Sequence, residues 1–185
     1  MKQPTTSYLA LLLVVLAALV GPAGIASAAS TQEIDTKVDG VLAEFGKKIP
    51  EGHEFLAKAR GVLVFPEVIK AGLGIGGEYG EGALRIGDKS VAYYNIASAS
   101  FGFQIGAQSY SIVMVFLTDD ALKKFRESKG WEAGVDGSVA IAEWGAGKDI
   151  NTENFKDPIV GFVLNNKGLM AGVSIEGSKI TRLER

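Results

Sequence analysis

Between residues 31 and 49 the apolar positions recur at intervals of three and four. Ile34, Val38, Val41, Leu42, Phe45 and Ile49 fall on one side of a helix that Thr31 caps. Glu33 and Asp35 stand near its positive end, and Lys47 and Lys48 in its last turn, where the helix dipole favours each sign. Pro50-Glu51-Gly52 interrupts the pattern, and Glu54 to Ala59 adds a short helix with Phe55 and Leu56 facing inward. From Gly61 the period changes. Gly61 to Phe65 is a wholly apolar strand, Pro66 ends it, and Glu67 to Ala71 makes one helical turn.

A block of glycines follows: Gly72, Gly74, Gly76, Gly77, Gly80 and Gly82. Glycines so dense serve either a tightly curved sheet or a surface that meets something else. Ala83 to Ile86 and Ser90 to Ile96 read as paired strands joined at Gly87-Asp88-Lys89. Phe101, Phe103 and Ile105 alternate with small or polar residues, and the run Ile112 to Leu117 reads as a central strand covered on both faces. Thr118 caps a helix whose Ala121, Leu122 and Phe125 face the core, and Ser128-Lys129-Gly130 stops it. Strands are expected at 139–142, 159–164, 168–175 and 179–183, with a polar loop over 148–157 and a turn at Asn165 to Gly168. The pattern predicts an α+β fold: a glycine-rich, mostly antiparallel curved sheet covered by a few helices.

The first 28 residues read as a signal peptide. Lys2 gives a positive start, Leu9 to Val20 is an apolar run broken by Gly21-Pro22, and Ala26-Ser27-Ala28 is a cleavage pattern. The alternative is an uncleaved N-terminal anchor. Removal leaves residues 29–185 as a single domain with 18 basic and 21 acidic side chains, a balance that argues against nucleic acid as a partner. The chain has no cysteine, so lipidation of a +1 cysteine is unavailable. The resulting expectation is an exported protein: periplasmic, peripherally associated with the outer membrane, or secreted.

Few residues could carry chemistry. Gly72, Gly74 and Gly77 match a GxGxxG pattern, but Pro66 precedes it and no clear helix follows. His53 is the only histidine, so no imidazole or thiolate metal site and no Ser-His-Asp triad is expected. Glu67, Glu78, Glu81, Asp119 and Asp120 leave a paired-carboxylate hydrolase as a third-ranked reading, with Asp119 and Asp120 more simply helix-start residues. Asp149, Asn151 and Glu153 lack the frame of a calcium loop. No catalytic residue, metal ligand or cofactor is therefore assigned. Lys58, Arg60 and Lys70 bracket the first strand, with Lys47 and Lys48 just upstream. Together these five are the candidate site for a phosphorylated lipid headgroup.

Several separated blocks resemble one known family. Ala59 to Pro66, the glycine block, Tyr94-Asn95-Ile96-Ala97-Ser98, Phe101 to Gln108 and Gly177-Ser178-Lys179 occur together as in the SYLF domain family, the Ysc84-type lipid- and actin-binding domain. The likeness spans roughly residues 32–183, and the chain is similar to secreted bacterial members. The resemblance implies a binding domain and no enzyme, since eukaryotic relatives bind anionic lipids and some bind actin filaments. On these grounds the main expectation is peripheral binding of anionic phospholipid headgroups at a cell envelope. A structural or protein-interaction module, with a protein partner, is the alternative. Actin is set aside as unlikely to be met in an exported compartment.

Overall fold

The computed structural model describes residues 29–143, 157–168 and 175–185. The expected leader, residues 144–156 with the candidate calcium loop, and most of the expected strand at 168–175 lie outside the described residues.

Helix α1 spans Thr31–Lys48. Ser30, one residue before the expected Thr31, is its cap: the Ser30 side chain accepts a hydrogen bond from the Glu33 amide. The short helix α2 spans Gly52–Lys58. Gly46 of α1 faces the His53 ring so closely that a Cβ there would stand 2.7 Å from it, so the turn between the helices is tight. Two long strands follow, β1 at Gly61–Ile86 and β2 at Lys89–Phe116, joined through Gly87 (φ 57°) and Asp88. Helix α3 is Asp119–Glu127, with the Thr118 hydroxyl accepting from the Ala121 amide. The chain continues through β3 (Trp131–Glu132), β4 (Ala140–Glu143), β5 (Ile159–Gly168) and β6 (Lys179–Leu183).

Strand β2 is the centre of the sheet. Along one edge it pairs antiparallel with β1, from Gly61 opposite Phe116 to Ile86 opposite Lys89. Along the other it pairs with β6 through Tyr93 to Ala97, and with β5 through Gln108 to Phe116. Strand β3 extends the sheet beyond β6; β4 lies parallel to β5, and all other pairings are antiparallel. The expected α+β fold with a curved, mostly antiparallel sheet under a few helices is the one observed.

Pro66 does not end its strand. It sits in a bulge, because the register shifts between Phe65 and Val68. A proline has no amide hydrogen to give the ladder, and bulges are where strands tolerate it. Here the Ser111 hydroxyl donates to the Pro66 carbonyl at 2.8 Å, so that acceptor is satisfied by a side chain. The expected helical turn at Glu67 to Ala71 and the turn at Asn165 to Gly168 are both continuous strand.

The glycine block belongs to a curved sheet. β1 doubles back so that its second half lies against its first. A Cβ on Gly82 would stand 2.1 Å from the Val64 carbonyl oxygen, and one on Gly80 would stand 2.7 Å from that of Glu67. Near the point of reversal a Cβ on Gly72 would meet the Gly76 Cα at 2.8 Å. Backbone therefore packs on backbone, at a spacing no side chain fits.

The two faces of the sheet carry separate cores. On one, Val62, Val64, Val113, Val115 and Phe162 meet the buried stripe of α1 (Ile34, Val38, Val41 and Phe45) and Phe55 of α2. The Phe162 ring is met edge-on by Phe45 at 4.8 Å and by Phe55 at 5.0 Å. On the other face Leu63, Phe65, Leu84, Tyr94, Ile112, Met114 and Phe116 pack with Leu122 and Phe125 of α3 and with Trp131. Both sides of β2 from Ile112 to Phe116 are thus buried, as an uninterrupted apolar run requires.

The close approach at Gly82 makes a direct prediction. Gly82→Ala should destabilise the protein by at least about 3 kcal/mol or prevent folding. Gly77→Ala, whose Cβ would sit at an ordinary 3.4 Å from Ser98, should stay within about 1 kcal/mol of the parent. Urea unfolding of the two variants checks this, and equal midpoints would refute the packing assigned to Gly82.

Candidate functional site

The five candidate cations are spread over α1, α2, the residue before β1 and β1 itself. Lys47 and Lys48 end α1, and Lys48 pairs with Glu44 one turn earlier. Lys58 ends α2 and pairs with Glu54 at 2.5 Å. Arg60 precedes β1 and faces Asp119 of α3 at 3.6 Å. Lys70 lies ten residues further along, at roughly 3.3 Å of strand per residue, beyond the Pro66 bulge. Three of the five therefore already hold a carboxylate.

The carboxylates that could have served a hydrolase are engaged in other ways. Glu67 stands 3.7 Å from Lys37, Asp119 faces Arg60, and Asp120 pairs with Lys124 at 2.8 Å within α3. Glu81 binds Arg185 at 2.7 Å and accepts from the Tyr79 hydroxyl at 2.8 Å. Among the described residues no group of His, Asp and Glu is arranged to hold a metal ion.

Glu78 is the exception in placement. It is only 5% exposed, in the core opposite α1, where the Tyr110 hydroxyl donates to one carboxylate oxygen at 2.6 Å and the Ser178 hydroxyl to the other at 2.5 Å. These three groups join β1, β2 and the segment before β6. Burial, and then the hydrogen bond to the Glu78 carboxylate, push the Tyr110 hydroxyl far above its ordinary titration range. A carboxylate accepting two hydroxyl hydrogens inside a core is a tether between elements. Sequence reading had no signal for it, since Tyr110 and Ser178 lie 32 and 100 residues away.

A second polar cluster seats α1. Arg85, nearly buried, reaches Asp39 at 2.5 Å and Asp35 at 3.9 Å. Asp35 also accepts from the Ser90 hydroxyl at 2.6 Å and the Tyr93 hydroxyl at 2.9 Å. The acidic residues of the helix thus dock it on the β1–β2 hairpin. Tyr93 belongs to this anchor, and Tyr94 beside it is core.

Between α1 and β1 an open groove remains. It consists of two adjoining cavities of about 440 and 380 Å3 that share Lys37, Pro66 and Glu67. Glu33 and Ile34 form the helix wall of one, facing Ile69, Tyr79 and Glu81 of β1. Gly40, Val41 and Glu44 form the wall of the other, facing Ser109, Tyr110 and Ser111 of β2. Ile69 and Tyr79 are 54% and 50% exposed, and Ile75, near the reversal of β1, is 66% exposed. Lys37 bridges the groove between Glu33 at 3.0 Å and Glu67 at 3.7 Å, and these carboxylates hold its ammonium protonated to higher pH than usual.

The described residues thus form a doubled-back antiparallel hairpin bearing an open groove of mixed apolar and acidic side chains. Comparison with known proteins adds a family likeness to this geometry. A family model described as "Ysc84: Las17-binding protein actin regulator" matches residues 97–184. The "SH3 domain-containing YSC84-like protein 1" of human and of rat is 30% identical over 136 residues, and the bovine protein 29%. Each alignment covers 71% of this chain and 39% of the relative, so the chain spans about two fifths of the length of the curated relatives it matches. The match agrees with the family resemblance in the sequence blocks, and the family's description is that of a regulator rather than of an enzyme, in line with the expectation of a non-enzymatic domain.

These findings correct several expectations. The relatives are mammalian, which overturns the reading as a secreted bacterial member and, with it, the periplasmic, outer-membrane or secreted location. The apolar run and cleavage pattern that suggested export lie outside the described residues. The family's description as an actin regulator favours the protein-interaction alternative over anionic-headgroup binding, for which the dispersed, carboxylate-paired cations give little physical basis. The judgement against actin rested on the exported compartment and falls with it. No helix among the described residues is long and apolar enough to cross a membrane.

The Glu78 tether is testable by alkali. A tyrosine whose native pKa is raised contributes stability that is complete below the unfolded value of about 10 and is lost as pH climbs toward the native one. Stability should therefore fall above about pH 10. In Tyr110→Phe the fall should be shallower, and at neutral pH the variant should lose about 1–3 kcal/mol. Denaturant titrations at pH 7 and across the alkaline range measure both, and a parallel alkaline fall in the two proteins would remove Tyr110 from the account.

Proposed function

We propose that this chain is a non-catalytic protein-interaction module that works among actin regulators. The observation that carries the reading is the match of residues 97–184 to a family described as a Las17-binding actin regulator. Those residues include most of β2, its partners β5 and β6, and both hydroxyls of the Glu78 tether. They build the rigid centre of the sheet, on which the hairpin and α1 display their surface.

The architecture supports an interaction role in a second way. Both faces of β2 are sealed by core from Ile112 to Phe116, and among the described residues Ile69 and Tyr79 of β1 stay half exposed together beside the groove against α1. Monomeric proteins expose large apolar side chains singly; clustering beside a groove is typical of a contact surface.

The test is co-sedimentation of the full chain with filamentous actin, alone and with a Las17-type regulator added. Saturable pelleting that depends on filaments, or on the regulator bound to them, is the expected result. Pelleting that is the same with and without filaments, in both arms, would overturn the reading.

A further inference from the structure

We propose that the groove between α1 and β1 is a docking slot for a peptide segment of a protein partner that sets a lysine or arginine beside an apolar side chain. The proposal rests on the interaction reading above and names the chemistry of the surface that would carry it.

The first observation is Gly40. It stands in the middle of α1 and lines the groove, where a glycine weakens a helix by about 1 kcal/mol relative to alanine. Apart from its own helix backbone, no atom of the described residues comes within 4 Å of where its Cβ would be. Packing inside the molecule therefore does not require glycine at this position. A chain that must approach the helix backbone closely does require it. Gly82 shows the contrast, since there the molecule's own backbone fills the space.

The second observation is the pairing of apolar and acidic side chains on one rim. Ile69 and Tyr79 stay about half exposed on the β1 wall, beside Glu67 and Glu81. Glu33 and Glu67 share the single ammonium of Lys37, so one of the two charges is uncompensated. Glu44 and Glu81 also line the groove, held from outside by Lys48 and Arg185. The surroundings thus keep a net negative charge, and a partner's cation can replace or join Lys37 between the two carboxylates. Cavities of this size take side chains, and together they extend along several residues of an extended peptide.

The same charge argues against other occupants. An anionic headgroup would meet carboxylates, and a second copy would bring another net charge of −2.

The experiment uses the full chain and a fluorescein-labelled nonapeptide alternating lysine with leucine, followed by fluorescence polarisation. The control peptide has glutamate in place of lysine. The lysine peptide should bind and the glutamate peptide should not. Gly40→Gln should raise the thermal midpoint by about 2 °C, because the helix improves, yet weaken the peptide at least tenfold by filling the slot. Glu67→Lys and the Ile69→Ser, Tyr79→Ser double variant should each weaken it several-fold with folding intact by circular dichroism. Equal binding of the two peptides, or unchanged affinity in Gly40→Gln, would overturn the slot. So would association with phosphatidylserine vesicles, or self-association, that is abolished by these same substitutions while peptide binding is absent. Actin pelleting of the same variants separates the two proposals. Pelleting without peptide binding overturns the slot and leaves the interaction reading standing. Peptide binding sensitive to Gly40→Gln, without any pelleting, supports the slot and overturns the actin reading.

Discussion

The contact of backbone on backbone between Val64 and Gly82 is the constraint on which the rest of the structure depends. An extended strand of 26 residues would carry its two ends about 85 Å apart. By doubling back it brings Leu63, Phe65 and Leu84 into one core and Val62, Val64 and Ala83 into the other. Strand β2 must follow its partner around the same bend, and its own far edge then offers one half to β6 and the other to β5. A side chain at Gly80 or Gly82 would hold the halves of β1 apart, and both cores would lose their closure.

Polar groups then decide how the covering elements sit. Hydrophobic burial would let α1 slide along the sheet, since contact among Ile34, Val38, Val41 and Phe45 is not directional. Arg85 removes that freedom by holding Asp35 and Asp39, with Ser90 and Tyr93 adding hydroxyl donors. On the opposite face Glu78 plays the matching part for the segment before β6. The amphipathic helix α1 is the lid of a core, and its acidic residues are its fastenings. What remains exposed beside it is a groove rather than a basic face, in keeping with a protein that contacts other proteins.

Much of this was legible in the sequence wherever local pattern and tertiary packing agreed. The three-and-four spacing of α1, the Thr118 cap, the Gly87-Asp88 turn and the doubly buried run at Ile112 each report a short-range preference that the fold keeps. Reading failed where a local signal was overridden. Pro66 looks like a strand end because its missing amide is visible, whereas the Ser111 hydroxyl that compensates its carbonyl is 45 residues away. The glycine block looks like turns because the backbone it packs against lies earlier in the same strand. Strand β3 is two residues long and has no period to detect. The candidate cations were adjacent in the text but separated by a helix end, a strand and a bulge. The compartment was argued from residues outside the described fold, and the relatives contradict it.

One contact ties together elements far apart in the sequence. Arg185 donates to the carbonyl of Ala29, just ahead of α1, as well as to Glu81 of β1, a contact across a separation of 156 positions. Glu81 also lines the groove beside α1, so one guanidinium touches both the start of the helix and the strand that faces it. The spacing of helix and hairpin along the groove is thereby braced from the far end of the sheet, by a residue that follows β6.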